Sequence, residues 1–433
     1  MSMTAIAIIG LIAMVTLLII GVPVTFSLGV VAVVGLSVVT DFSVVMQQSI
    51  MVVNQTGMDF ILICIPLFVF MGKMIYHTGI AKELFVCIQK WLGFLPGGLA
   101  MSTVVTCSAF GAVTGSSVAS VATMATIIRP ELKRYNYDDE LSSGALTSAG
   151  TLAVLIPPSL GFITYGVLTD TSIGGLFLAG VVPGVLLTAM YCIYIYIRCI
   201  LNPKLGPKAA KVALLERLIS LRGTIGLLLI FALVIGGIYG GFFTPTEASG
   251  AGVAGVLMIC IYRRSLALKA LREALIDTGL VTAMIWGIIV SGYLLSRFLA
   301  VTGASQALVD WVASMGLSVT GFLLITTVIY LLLGMLLDMF GMVILTIPFF
   351  FPLASHYGLD PIWFGTYVVI MCEIGLLTPP VGVNVFVMHD MAPDIPLKTI
   401  FRGVLPFALL NLSGVVLITL FPVLALWLPR LML

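Results

Sequence analysis

Charged side chains are scarce in this sequence, because its 433 residues include only 20 Lys and Arg and 18 Asp and Glu. Soluble globular proteins carry about 25% charged residues, and disordered chains combine low hydrophobicity with high net charge. This chain is 61% hydrophobic with a net charge of +2, so it fits neither class and has no basic excess for nucleic acid. Its long apolar runs instead predict an all-α polytopic membrane protein.

Histidine is also rare, and no motif points clearly to catalysis. The three histidines are scattered, and none of the seven cysteines forms a CxxC pair. We interpret the cysteines as small apolar side chains rather than as metal ligands or disulfides. An intramembrane serine protease is a weak alternative: Ala248-Ser249-Gly250 resembles a nucleophile motif, but no histidine lies in mid-span to act as its base. We therefore expect a protein that is not an enzyme.

The apolar segments predict ten membrane crossings, since one crossing needs about 20 apolar residues. Two further segments, 98–129 and 320–352, are interrupted in the middle, and each arm reaches only about 20–27 Å at ~1.5 Å per residue. We interpret these two as re-entrant hairpins. Two amphipathic segments, 43–56 and 265–281, are predicted to lie along the membrane surface. The ten crossings are 3–20, 23–40, 60–77, 140–169, 173–198, 223–241, 245–262, 283–300, 361–388 and 400–428.

The distribution of positive charge predicts the orientation. The first apolar run lacks a preceding basic segment and continues into a second, which indicates a retained span rather than a cleaved signal peptide. If the N-terminus lies outside, all Lys and Arg except Arg297 and Arg430 fall on the cytoplasmic side. This asymmetry obeys the positive-inside rule and places both termini outside.

Matches at a spacing of about 222 residues predict an internal duplication. Pro23 corresponds to Pro245, and the pair Pro157-Pro158 corresponds to Pro379-Pro380. Each half contains five crossings and one hairpin, and because five is odd the second half is inverted. Inverted repeats are typical of secondary transporters, whose sites lie near the membrane midplane. The predicted parts are a first repeat (1–198), a cytoplasmic connecting loop (199–222) and a second repeat (223–433).

Four interruptions of the apolar segments define the predicted site. Two are the hairpin tips, Phe110–Ser120 and Gly334–Gly341, and two are the double-proline segments 155–159 and 377–381. A double proline breaks a helix, and unpaired backbone groups in lipid are costly unless a ligand satisfies them. The half-helices that follow present N-termini, which attract anions. Ordinary proline kinks that pack against neighbouring helices are the alternative.

Backbone carbonyls on the other side of each break suit a hard cation such as Na⁺. The hydroxyls of Ser116 and Thr378 could add ligands. Buried carboxylates are rare and informative: Asp338 could cap a helix or bind substrate hydroxyls, and Glu373 could carry a proton or make a structural hydrogen bond. Repeat symmetry predicts one Na⁺ site from Gly111, Ala153, Ile156 and Pro158, and a second from Gly334, Gly375, Thr378 and Val381.

Two long stretches, 114–166 and 332–388, together with 21–29 and 244–252, resemble the large membrane subunit of tripartite ATP-independent periplasmic (TRAP) transporters. The resemblance implies an elevator-type importer in the bacterial inner membrane, with both termini periplasmic. It implies a Na⁺ gradient as the driving force and a small carboxylate, such as a C4-dicarboxylate or sialic acid, as the substrate. It also implies two partners, a periplasmic substrate-binding protein and a small membrane subunit of four helices.

The four interruptions also predict which part of the protein moves. Because all four lie in 98–170 and 320–390, we expect these segments to form one mobile transport unit. The scaffold would then comprise 1–97, 171–319 and 391–433.

The resemblance further implies which residues contact the substrate. The family's substrate contacts map onto Ser116, Ser117, Ser159, Asp338 and Asn384.

Two other kinds of transport protein remain open. An ion channel needs a continuous polar pore, whereas the polar groups here cluster at the midplane between apolar walls. A divalent-anion/Na⁺ symporter with similar hairpins would work without a binding protein. Adjacent genes for a binding protein and a four-helix protein would favour the tripartite transporter over the symporter.

Overall fold

The computed structural model describes residues 2–432, apart from the side chains of Ala112 and Val113, and the regular secondary structure of this range is helical. A 3₁₀ turn, Ile61–Ile63, precedes α4. The first half contains α1 (Met3–Ile20), α2 (Val24–Val39), α3 (Phe42–Met58), α4 (Cys64–His77), α5 (Ile80–Leu92), α6 (Gly98–Thr114), α7 (Ser117–Arg134), α8 (Asp139–Leu152), α9 (Leu160–Thr169) and α10 (Ile173–Leu201). The second half contains α11 (Leu214–Tyr239), α12 (Pro245–Tyr262), α13 (Leu268–Val301), α14 (Ala304–Ser314), α15 (Val319–Gly334), α16 (Met339–His356), α17 (Pro361–Gly375), α18 (Val383–Met391), α19 (Leu397–Leu420) and α20 (Val423–Met432).

Seven described helices are long and apolar enough to cross a membrane, namely α1, α10, α11, α12, α13, α16 and α19. The helices α3 and α4 form an eighth candidate, bent by 60° between Met58 and Ile61. The other three predicted crossings are built differently: α2 has only 16 residues, and α8–α9 and α17–α18 are each interrupted at the double proline. These features make the chain a multi-pass, all-helical membrane protein.

Three details differ from the sequence prediction. The segment 265–281 is not a separate surface helix, because most of it forms the start of the 34-residue helix α13. The predicted crossing 400–428 is divided between α19 and α20 at Phe421. The second hairpin contains α16, which at 18 residues is long enough to be a crossing candidate itself. Hydropathy alone misplaced these boundaries because it registers apolar character and not whether the backbone continues as a helix.

The two halves contain corresponding elements. The pair α6–α7 corresponds to α15–α16, and the interrupted pair α8–α9 corresponds to α17–α18. In both halves the peptide bond within the double proline is cis. The inverted orientation of the second half stays a prediction.

Candidate functional site

The first hairpin turns tightly at Gly115. This residue has a φ of +59°, which glycine adopts at little cost. Ser116 then caps α7, since its hydroxyl oxygen accepts a hydrogen bond from the Ala119 N–H at 3.4 Å. Ser117 is the first residue of α7 and is buried. The predicted substrate residues of this tip therefore lie at a helix N-terminus.

The first double-proline break packs directly against this tip. Ser159 is fully buried and caps α9, where its hydroxyl accepts from the Phe162 N–H at 3.3 Å. A Cβ added to Gly115 would lie 3.0 Å from the carbonyl oxygen of Pro158 and 3.2 Å from the Leu160 nitrogen. The structure thus brings together the N-termini of α7 and α9, where Ser116, Ser117 and Ser159 lie, and their contact with the substrate stays a prediction.

The first predicted cation site is built on a close approach of two backbones. A Cβ on Gly111 would overlap the Cα of Ala153, so only glycine fits where α6 meets the end of α8. Pro158 approaches the same hairpin through its contact with Gly115. Ile156 is half-buried and lies against Gly184 of α10, on the other side of the break. The structure therefore brings Gly111 against Ala153 and Pro158 against Gly115, whereas Ile156 faces α10.

The second predicted cation site has the same construction. A Cβ on Gly334 would overlap the Cα of Gly375, and a Cβ on Gly375 would lie 2.7 Å from the Cα of Gly334. The Thr378 hydroxyl donates to the Ile374 carbonyl at 2.8 Å, which leaves its oxygen free to face a cation. Val381 is half-buried at the end of the break. These oxygen donors suit Na⁺, for which carbonyls of unwound helices are known ligands.

The two breaks differ in exposure. Pro157 and Pro158 are buried, whereas Pro379 and Pro380 are exposed. The first break is covered by α10, where a Cβ on Gly180 would overlap the Leu155 carbonyl oxygen. The second break therefore has the greater access to ligands from outside the protein.

Asp338 caps α16. Its carboxylate accepts a hydrogen bond from the Gly341 N–H at 3.0 Å, which confirms the capping interpretation of this residue. Its predicted contact with the substrate stays a prediction.

Glu373 connects the two halves of the site. The Ser117 hydroxyl donates to Glu373 Oε1 at 3.3 Å, although the two residues are 256 positions apart. Glu373 is only 1% exposed, and its Oε2 atom has no hydrogen-bond partner within residues 2–432. The sequence left its role open, and this contact supports the structural alternative.

Asn384 is a polar side chain in a buried position that lacks partners. It is 0% exposed, and neither its Oδ1 nor its Nδ2 atom has a partner in the described part of the chain. Its backbone N–H donates to the Leu376 carbonyl at 3.2 Å, which holds the start of α18 against the end of α17. A buried polar group without a partner costs about 1–3 kcal/mol, so this amide is suited to a bound ligand.

Sequence reasoning did not single out Ser148, which is buried on α8 five residues before Ala153. Its hydroxyl likewise has no partner among the described residues. Several other serines and threonines lie on α8, and nothing in the sequence separates Ser148 from them. Only the packing of the helices reveals it.

The site has no nearby basic side chain on α7. Arg129 is 12 residues after Ser117, which corresponds to about 18 Å along the helix. Arg129 and Lys133 both pair with Asp394 instead, the second at 3.2 Å. Within residues 2–432 no cluster of three or more His, Cys, Asp or Glu side chains could hold a metal ion. An anion at the N-terminus of α7 would therefore meet N–H groups and hydroxyls rather than Arg129 or Lys133.

Comparison with known proteins identifies close relatives over most of the chain. A family model described as "Tripartite ATP-independent periplasmic transporter, DctM component" matches residues 11–424. The C4-dicarboxylate TRAP transporter large permease protein DctM of Pseudomonas aeruginosa is 35% identical over 377 residues, 87% of this chain and 88% of that protein. The sialic acid TRAP transporter large permease protein SiaM of Vibrio cholerae is 31% identical over 429 residues, 96% of this chain and 97% of that protein.

A solved structure supports the fold. The crystal structure of the Alcanivorax borkumensis YdaH transporter matches with a TM-score of 0.58 over 86% of each chain. The sequence identity is 14%, so the similarity concerns the arrangement of the helices alone.

Proposed function

Since this chain belongs to the DctM component family of tripartite ATP-independent periplasmic transporters, we propose that it carries a small carboxylate across the inner membrane, driven by Na⁺. Chains of this family are the large permeases of secondary transporters, and this one is a multi-pass inner-membrane protein. The observation that carries the ligand assignment is the fully buried Asn384 amide, which has no partner in the range 2–432 and follows the second break.

Two Na⁺ ions would bind at the paired breaks. The contacts of Gly111 with Ala153 and of Gly334 with Gly375 support this assignment, because each brings a hairpin arm against the last turn before a break. The Gly111 and Gly375 carbonyls each accept one backbone N–H, from Gly115 and Thr378 at 3.0 Å, and each oxygen has a second lone pair for a further partner. A bound cation supplies a partner for several carbonyls at once.

The carboxylate would bind between the N-termini of α7 and α9, where Ser116, Ser117 and Ser159 provide hydroxyls and N–H groups. One helix N-terminus contributes about 0.3–1 kcal/mol, or up to ~2 kcal/mol when partly buried. Two such termini do not offset the desolvation of an anion at the midplane. Bound Na⁺ would supply the remainder, so substrate and Na⁺ would strengthen each other's binding by the same factor.

The transport unit would move as one body past the scaffold. Contacts within the proposed unit support this idea: a Cβ on Gly161 of α9 would lie 2.8 Å from the Met339 sulfur of α16, and the Tyr165 hydroxyl donates to the Pro361 carbonyl at 2.8 Å. These contacts tie elements of the first repeat to elements of the second. A unit that holds both breaks could alternate between membrane faces, which is the elevator mechanism.

The other two components of the tripartite system would be a periplasmic substrate-binding protein and a small membrane subunit. The relatives named for a C4-dicarboxylate and for sialic acid make both of these substrate classes candidates. The orientation with both termini in the periplasm rests on the distribution of Lys and Arg.

Uptake into proteoliposomes tests this function. The chain, its small membrane subunit and a binding protein loaded with labelled carboxylate should give saturable uptake that requires an inward Na⁺ gradient. Equal uptake of free carboxylate without the binding protein would identify the symporter alternative instead. Flux that does not saturate and ignores the Na⁺ gradient would identify a channel.

A further inference from the structure

A polar cavity of about 510 Å³ lies between the end of α3 and the last third of α13. Gln55, Thr56 and Asp59 line one wall, and Tyr293, Ser296 and Arg297 line the other. None of these residues belongs to the four interruptions of the transport site. The volume lies within the range of about 300–1,000 Å³ that is typical of small-molecule sites.

Two opposite charges line this cavity without pairing. No salt bridge joins Arg297 to Asp59 or to another acidic side chain of the described residues. One oxygen of Asp59 accepts from the Ile61 N–H at 2.8 Å, and the other is available. Arg297 is exposed and lies four residues before the end of α13, so its guanidinium is available to a ligand. The cavity therefore suits a ligand that carries both signs of charge.

The surroundings of the cavity are apolar and exposed. Met58 and Phe60, on either side of Asp59, are 86% and 59% exposed, and Val301 at the end of α13 is 42% exposed. Under the topology predicted from the basic residues, Asp59 and Arg297 both lie at the periplasmic side. A polar cavity with an apolar rim at this depth matches the headgroup region of the outer leaflet.

We propose that this cavity binds the headgroup of a phospholipid that has a phosphate and a primary amine. Arg297 would hold the phosphate, for which the guanidinium fork has the matching geometry. Asp59 would accept from the ammonium group, and the exposed apolar residues would contact the acyl chains. The carboxylate of Asp59 disfavours a purely anionic ligand, such as the transported dicarboxylate.

The lipid would also contact a residue that links α13 to the proposed transport unit. The Tyr293 hydroxyl donates to the Val167 carbonyl at 3.1 Å, in the last turn of α9. Ser159 of the proposed transport site caps the start of this helix. A headgroup in the cavity thus lies beside the contact that joins the outer end of α9 to the scaffold.

Native mass spectrometry of the full chain with its small membrane subunit tests the proposal. Phosphatidylethanolamine should bind more tightly than phosphatidylcholine, whose amine cannot donate, and phosphatidylglycerol, which has no amine. Arg297→Gln should weaken phosphatidylethanolamine binding about tenfold or more, as loss of a charged hydrogen bond predicts. Asp59→Asn should remove the preference over phosphatidylglycerol. Arg430→Gln, which changes the other predicted periplasmic cation, should leave binding unchanged.

Three results would overturn the assignment. One is equal binding of the three lipids, and another is wild-type binding by Arg297→Gln. The third is displacement of the lipid by succinate, which would place the cavity on the substrate path. Free phosphoethanolamine distinguishes a lipid from a soluble phosphate: it should compete weakly, and competition as strong as that of the lipid would contradict a lipid ligand. Arg297→Lys keeps the charge and should retain part of the binding, which provides a readout if Arg297→Gln fails to fold.

Discussion

The Ser117 hydroxyl donates a hydrogen bond to the Glu373 carboxylate, and this contact joins the tip of the first hairpin to the helix that leads into the second break. Ser117 belongs to the proposed substrate site. Glu373 lies two residues before Gly375, a proposed Na⁺ ligand. The bond therefore connects the proposed substrate site to the helix that carries a proposed Na⁺ ligand.

We predict that Ser117→Ala and Glu373→Ala each weaken the coupling between Na⁺ and substrate about fivefold, since one intramolecular hydrogen bond contributes about 1 kcal/mol. The double variant should be no worse than either single variant, because both remove the same bond. Glu373→Gln keeps an acceptor and should restore much of the coupling. The measurement is the Na⁺ dependence of substrate affinity in proteoliposomes, and additive effects of the two alanine substitutions would contradict the link.

Glycine should be indispensable at the two close backbone contacts, Gly111 with Ala153 and Gly334 with Gly375. Gly111→Ala and Gly334→Ala place a Cβ in overlap with Ala153 and Gly375, respectively, and should separate the hairpin arms from the breaks. We expect Na⁺ to raise the melting temperature of the wild type, and this increase should be lost in both variants. Gly236→Ala is the control, because a Cβ there meets no atom within 4 Å and the change favours a helix by roughly 0.5–1 kcal/mol. If Na⁺ still raised the melting temperature of both Gly111→Ala and Gly334→Ala, these two cation sites would be excluded.

Thr378→Val should reduce the apparent Na⁺ affinity of uptake, because valine keeps the shape but removes the hydroxyl oxygen at the second break. Thr366→Val is a matched control in α17, the helix that precedes this break: the Thr366 hydroxyl also donates to the carbonyl four residues earlier, at 3.0 Å, but lies far from the break. The sodium concentration for half-maximal uptake should rise only for Thr378→Val. An equal rise in both variants would indicate a general effect on α17.

Asn384→Leu should abolish substrate uptake while leaving the protein as stable as the wild type or more stable. The reason is that the amide has no partner in residues 2–432, and removing such a group relieves a cost of about 1–3 kcal/mol. Asn411→Leu provides the contrast, because the Asn411 amide accepts from the Tyr191 hydroxyl at 2.8 Å. That variant should melt at a lower temperature. A large loss of stability in Asn384→Leu would show that the amide has a structural role.

Motion of the proposed transport unit should change contacts with the scaffold but not contacts within the unit. Gly292 of α13 packs against Ile344 of α16, across the proposed boundary. A cysteine pair at 292 and 344 in a cysteine-free background should crosslink to different extents with and without Na⁺. A pair at Gly161 and Met339, within the unit, should crosslink equally in both conditions. If both pairs behave alike, the boundary is misplaced or the elevator mechanism does not apply.

Local sequence determined much of this protein. The lack of charge and the apolar runs predicted a helical membrane protein, because lipid leaves backbone groups no partner except each other. The double prolines at 157–158 and 379–380 predicted both breaks, since proline removes the backbone N–H wherever it stands. Ser116, Ser159 and Asp338 were recognisable at helix starts, and all three cap their helices in the structure.

Only the tertiary structure decided which of these local features meet. The pairing of Ser117 with Glu373 depends on how helices far apart in sequence pack, and no local pattern encodes it. The sequence also did not predict that α13 is one continuous helix or that the two breaks are unequally buried. Burial of Pro157 and exposure of Pro379 follow from where neighbouring helices lie, because the similar double-proline segments of the two halves have different neighbours. The family resemblance already suggested Asn384 as a substrate contact, but only the packing shows that its amide is buried without a partner among the described residues.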